Sequence, residues 1–252
     1  TNIAADQNER VRLILKKIAK KHGFICLLGE KPFNGVNGSG KHNNWSINTD
    51  TGINLFRPGD KPKDNKLFLV FLTADIKGVD AYAGLLRSSV ATYGNDFRLG
   101  AHEAPPAILS IFLGDELEEV VEDIVSEKKD KKGKEASKLL TGAKSLPVLS
   151  KDTTDRNRTS PFAYTGNRFE FRRVGSEQNI ATPNTVLNTI TGYELKEFAD
   201  TVEKAKDKDK AINNWIRVNL EKHQRILFNG DGYSEDWVKE EKKRGLPNLK
   251  TT

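Results

Sequence analysis

Val11, Ile14, Leu15 and Ile18 recur at helical spacing and predict a helix over 9–22. Asn8 is its natural N-cap and Gly23 its stop. The unbroken apolar run at 24–29 then reads as a buried strand. A loop rich in Gly and Asn follows over 34–40. Residues 42–48 look extended and end in the turn chemistry of Asp50-Thr51-Gly52. Residues 58–64 form a loop with Pro and Lys. From Lys66 to Ala91 the apolar periodicity predicts one long buried helix, weakest at Gly78. Gly, Asn, His and a Pro pair mark 94–107 as an ordered loop. A strand over 108–113 and an amphipathic helix over 115–126 precede a polar insertion at about 127–153.

Residues 168–173 carry the most informative pattern. Alternation in a strand puts Arg168, Glu170 and Arg172 on one face and Phe169 and Phe171 on the other. Charges beside a core are tolerated when paired, or when they hold a metal or an anionic ligand. The competing reading is an edge strand with a solvated charged face. Thr182-Pro183 opens a helix that runs through Val186, Leu187, Ile190, Leu195, Phe198 and Val202. Helices over 209–227 and 234–244 follow. Strands and helices do not alternate regularly, so the fold class is α+β, with a curved, mainly antiparallel sheet and packed helices.

Composition narrows the function. The 252 residues suit one large domain or two small ones. The single Cys26, inside an apolar run, excludes an internal disulfide framework and reads as a buried, inert thiol. No apolar run is long enough to span a membrane, and no signal peptide opens the chain, so the expected location is cytoplasmic. The net charge is +6, with much of the lysine in Lys128–Lys134, a mixed-sign run that reads as a solvated loop. Basic residues are not interleaved with aromatics in any nucleic-acid module, so no nucleic-acid partner is expected. The chain starts at Thr1, contains no methionine and ends after a turn-like Arg244-Gly245-Leu246-Pro247. It reads as an internal piece of a longer protein.

Gly35-Val-Asn-Gly-Ser-Gly40-Lys41 matches the start of a P-loop. The next residue is His42 where a Ser or Thr hydroxyl would serve magnesium, and a strand pattern follows where a helix should. The P-loop is therefore rejected. In that strand His42, Asn44 and Ser46 share a polar face, with Asn43, Trp45 and Ile47 opposite. Such a row beside a glycine loop reads as a ligand surface, although a lone His is equally a hydrogen-bonded structural residue. His22 and His223 read as surface residues. No Cys/His spacing suits zinc. Arg98, Arg158, Arg168 and Arg172 are available to gather around negative charge.

Together these segments resemble the glutamine synthetase family. Lys31-Pro32 through Ser46 resembles its KPxxGxNGSGxHxxxS motif. Asn157-Arg158-Thr159-Ser160, then Arg168-Phe-Glu170-Phe-Arg172, resembles its NRS…RxExR segment, and Arg98…Glu103-Ala104-Pro105 its flap loop. The wording is most similar to the type III branch, over essentially the whole chain. The resemblance implies that residues 1–252 form the C-terminal portion of a catalytic domain, with a helical C-terminal segment from about 182. It implies ATP-dependent joining of ammonia to glutamate through γ-glutamyl phosphate, in a homo-oligomeric ring. By the same resemblance His42 and Glu170 ligand Mg2+ or Mn2+, and Asn37, Gly38, Arg98 and Arg172 meet the substrate. Ser46, Arg168 and Arg158 bind the nucleotide, and Glu103, Arg158 and Arg172 are catalytic. Two positions depart from the more common branch: Asn44 replaces a second His and Ala163 replaces an Arg. In the family, the carboxylates that complete the metal sites precede the position of Thr1, so this chain by itself is expected to be inactive. A non-catalytic scaffold or regulatory subunit of the same fold is the alternative.

Overall fold

The computed structural model describes residues 2–100, 104–126, 138–139, 149–150 and 159–251. Eight helices and six strands lie within them. In chain order these are α1 (Asn2–Lys21), β1 (Gly40–Trp45), α2 (Lys66–Ala81), α3 (Ala83–Ser88), α4 (Tyr93–Arg98), β2 (Ile111–Phe112) and α5 (Asp115–Val125). Then come β3 (Lys138–Leu139), β4 (Leu149–Ser150), β5 (Phe162–Tyr164), β6 (Phe169–Gly175), α6 (Ala181–Glu203), α7 (Lys208–His223) and α8 (Glu235–Arg244). Four strands form one sheet in the order β1-β6-β5-β2, antiparallel except for the parallel β2–β5 pair. β3 and β4 make a separate antiparallel ribbon. The architecture is α+β.

One face of the sheet is apolar because the alternation in β6 demands it. Phe169 and Phe171 are fully buried. Phe169 stacks on Phe162 at 4.7 Å between ring centroids and meets Phe56 edge-on at 5.1 Å. Trp45 of β1 extends this aromatic layer. Behind it lie α2, α6 and α7. Gly78 lets α6 approach: a Cβ there would touch Ile190 at 3.4 Å. The expected weak spot is therefore a packing notch, and the helical run breaks instead at Tyr82, between α2 and α3. Lys77, buried in α2, pairs with Glu194 and Glu197 of α6 at 2.7 and 2.6 Å.

Several expectations need correction. Residues 24–29 form no strand, and Ile25 is 88% exposed: the run has no neighbouring strand to pair with among the described residues. Cys26 is accordingly half-buried rather than buried. The first part of the loop expected over 94–107 is helical: Tyr93–Arg98 form α4, because the Thr92 hydroxyl caps Asn95 N at 3.2 Å. His223 is not a surface residue. The last turn of α7 folds over α2, and its Nδ1 donates to Asp80 Oδ2 at 2.7 Å. α6 starts at Ala181, with Asn179 Oδ1 accepting from its N–H at 2.8 Å, so Pro183 falls within the first turn, where its missing N–H costs nothing.

Other boundaries match in part. α1 covers the expected helix as far as Lys21 but starts at Asn2, so Asn8 lies inside it rather than capping it, and Val11, Ile14, Leu15 and Ile18 remain 48 to 52% exposed. The strand expected over 108–113 is limited to Ile111–Phe112. α8 starts at the Ser234 cap and ends at Gly245, which takes the left-handed φ of 68° that favours glycine. The polar insertion at 127–153 lies outside the described residues apart from β3 and β4. Among the described residues no helix is long and apolar enough to cross a membrane.

Candidate active site

The polar face of the sheet is built around the β1–β6 pairing. Asn44 lies opposite Glu170, Asn43 opposite Phe171, and Lys41 opposite Val174. The step from 41 to 43 on β1 thus spans 174 to 171 on β6, so Arg172 and Arg173 together oppose His42. This is a β-bulge, a device that re-aims side chains. It brings three of the sequence-predicted residues into contact. His42 Nδ1 donates to Glu170 Oε1 at 2.9 Å. Arg172 donates to Glu170 Oε2 through Nε at 2.9 Å and Nη2 at 2.7 Å. His42 is exposed, while Arg172 is buried with its carbonyl-side anchor at Ser160 O.

The electrostatics follow from this pairing. Burial alone would raise the Glu170 pKa, but the Arg172 fork, and to a smaller degree His42, hold it below the ordinary carboxylate value. Glu170 is an anion with one oxygen on a fixed cation and the other on an imidazole. A neutral imidazole and a carboxylate within hydrogen-bond distance suit two adjacent ligand positions of one Mg2+ or Mn2+ ion. Among the described residues no third His, Cys, Asp or Glu joins them. The pair fits part of such a site.

Arg98 reaches the same face from α4. Gly40 lies two positions before His42 on β1, and a Cβ on Gly40 would collide with the Arg98 guanidinium. A Cβ on Gly38 would collide with the Arg98 Cγ. The glycine loop therefore lies directly on the Arg98 side chain, which explains two of its glycines by close approach. Arg98 is buried, and that burial lowers its pKa to about 10, against the opposing pull of Glu30. Its Nη2 makes long contacts of 3.3 and 3.5 Å to the carbonyls of Arg172 and Val174.

The remaining expected residues are less closely gathered. Asn37 is exposed and Gly38 half-buried in the loop over Arg98. Ser46 is half-buried just past β1. Arg168 is exposed at the turn before β6, where its carbonyl accepts from Thr165 N at 2.8 Å. Glu103 and Arg158 lie outside the described residues. Lys41, the lysine of the P-loop look-alike, donates to the carbonyls of Ser176 and Gln178 at 2.5 and 2.6 Å. It is tied to a turn, and β1 rather than a helix follows the glycines, so the rejection of a P-loop stands.

Sequence reasoning missed Glu30, Asn95 and Arg173. Glu30 is buried, and its carboxylate fills the space a Cβ on Gly94 or Gly175 would need. Its place directly before Lys31-Pro32 was the only signal. Arg173 is fully buried, and burial together with Arg87 and Arg98 lowers its pKa to about 9. Alternation places residue 173 on the side of Phe169 and Phe171, and an arginine is the residue type that pattern gives least reason to expect there. The two departures, Asn44 and Ala163, are the two cross-strand neighbours of Glu170.

Comparison with known proteins agrees with the motifs. The glutamine synthetase catalytic domain matches residues 2–110, and the glutamine synthetase C-terminal domain matches residues 211–252. The "Type-3 glutamine synthetase" of Dictyostelium discoideum is 52% identical over 100% of this chain and 34% of its own length. The "Glutamine synthetase" of Bacteroides fragilis is 50% identical over 98% of this chain and 35% of its own. That of Butyrivibrio fibrisolvens is 48% identical over 99% and 35%. The chain spans about a third of the length of the curated relatives it matches. With both family domains matched, and similarity over the whole chain to relatives named glutamine synthetase, the chain belongs to the glutamine synthetase family.

Proposed function

We propose that this chain is the C-terminal portion of the catalytic domain of a glutamate–ammonia ligase, working within a longer enzyme. The observation that carries this reading is the His42–Glu170–Arg172 contact. An imidazole and a carboxylate 128 residues apart meet on one sheet face, with the Arg98 side chain under the adjoining glycine loop. A scaffold has no need of this convergence of charges.

The reaction has two steps. The γ-carboxylate oxygen of glutamate attacks the γ-phosphorus of ATP, and ADP leaves. Ammonia then attacks the acyl carbon, phosphate leaves, and the nitrogen gives up its proton. His42 and Glu170 would hold a divalent ion, which supplies charge neutralisation for the ATP phosphates when bound. Arg98, with Asn37 and Gly38, takes the α-end of glutamate, where a guanidinium fork suits a carboxylate. Arg172 and Arg158 would serve the transferring phosphoryl group, where positive charge stabilises its equatorial oxygens. Arg168 and Ser46 serve the nucleotide. Glu103 shields the acyl phosphate from water.

The test uses the complete enzyme that carries this chain. Glu170→Ala should lower kcat by about 100-fold or more, the usual scale for losing a group that stabilises transferring charge, and weaken Mn2+ binding. Arg98→Ala should mainly raise the glutamate KM. Wild-type behaviour of both would overturn the reading. The 252-residue chain alone should show no ATP-dependent glutamine formation.

A further inference from the structure

Arg98 has a long, flexible side chain, and nothing in its own chemistry decides where the guanidinium points. One direct short bond does. Arg98 Nε donates to Asn95 Oδ1 at 2.9 Å, with both residues buried. Asn95 is itself over-determined. Its Nδ2 donates to Val90 O at 2.7 Å, to Arg173 O at 2.8 Å and, more weakly, to Gln178 Oε1 at 3.3 Å. Gln178 Oε1 also accepts from Gly175 N at 2.7 Å. Turning the Asn95 amide over would set its NH2 against the Arg98 N–H and leave two buried carbonyls without a donor. The oxygen is therefore locked toward Arg98 by α4, the turn before it and the β6 backbone. We propose that Asn95 is a positioning residue: it fixes the direction in which the Arg98 guanidinium meets the substrate carboxylate. This rests on the reading of Arg98 as the carboxylate-binding group.

The guanidinium plane follows from the Nε anchor. With Nε held on Asn95, the terminal nitrogens lie along Gly40 and the β6 carbonyls, on the face that carries His42. The long Nη2 contacts, at 3.3 and 3.5 Å, do not fix that plane by themselves. Without the anchor the side chain gains rotamers, and each must be given up again when a carboxylate binds.

The experiment is a kinetic double-mutant cycle on the complete enzyme, with Asn95→Ala, Asn95→Asp, Arg98→Lys and Asn95→Ala/Arg98→Lys. Asn95→Ala should raise the glutamate KM by about 10-fold or more, the scale of a lost bond to a charged group, with the ATP KM within about twofold. Lysine lacks Nε, so Asn95→Ala should add little once Arg98 is Lys. Asn95→Asp keeps the acceptor but loses the donors. It should lower Tm at least as far as Asn95→Ala while keeping the glutamate KM within about threefold of wild type. A glutamate KM that follows Tm across the variants, or additive effects in the cycle, would reduce Asn95 to a fold-stabilising residue and overturn the proposal. Should Asn95→Ala not accumulate as folded enzyme, Asn95→Asp decides: a KM rise matching that of Arg98→Lys overturns it. If Arg98→Lys itself leaves the glutamate KM unchanged, the reading of Arg98 fails. If it raises that KM while Asn95→Ala does not, only the role of Asn95 fails.

Discussion

Asp75 and Glu170 show how opposite settings treat one functional group. Glu170 stands between a guanidinium and an imidazole and stays ionised below the usual range. Asp75 sits fully buried in α2. The Thr191 hydroxyl makes one long contact of 3.4 Å to Oδ1, and Oδ2 has no hydrogen-bond partner among the described residues. Burial raises its pKa well above the ordinary aspartate value, so the neutral acid is the form that suits the fold. The folded value lies above the unfolded one. Its stabilising contribution is therefore complete below about pH 3.8 and is lost as pH rises through the folded value. Asp75→Asn removes that dependence. The urea midpoint of the variant relative to wild type should climb as pH rises above about 4 and level off once the buried acid ionises. A gap that stays flat with pH would show that Asp75 does not titrate in this way.

Among the elements, the glycine loop and β6 determine the site together. Gly38 has no room for a methyl group, because the Arg98 stem occupies that space. Gly38→Ala should cost about 1–3 kcal/mol of stability, the usual price of overpacking, and raise the glutamate KM. Urea titration and steady-state kinetics on the complete enzyme would check both, and a silent variant would mean the loop lies elsewhere in solution. The paired faces of β1 and β6 were legible from alternation alone, since a buried Phe169 and Phe171 force Glu170 and Arg172 to the other side. The bounds of α8 were legible over 234–244, and the structure shows why: Ser234 caps its start and Gly245 its end. α4 was not: Gly94 and the Pro pair hid a helix of six residues held by one Thr cap. Nor was the bulge, which depends on two strands at once. His223 was misplaced because its partner, Asp80, lies 143 residues away and no local pattern announces it.

At the scale of the molecule, distant segments are tied back by arginine. Arg87 donates to the carbonyls of Leu249 and Lys250, and Arg244 to those of Leu227 and Arg225. Asp80 collects both His223 and Arg225. These links join α2, α3 and the C-terminal turns into one packed body. α1 differs. Among the described residues the ion pair that ties it to the rest is Arg12–Glu177, at 2.6 Å and partly solvated, and exposed pairs of this kind contribute little. Its remaining outward side carries Val11, Ile14, Leu15 and Ile18 together with Lys16, Lys17 and Lys20. Purified alone, the polypeptide should behave as a surfactant does, greasy along one edge and cationic along the next. Static light scattering should give a negative second virial coefficient that turns positive in Ile14→Lys/Ile18→Lys. A coefficient indifferent to both changes would locate the stickiness somewhere else.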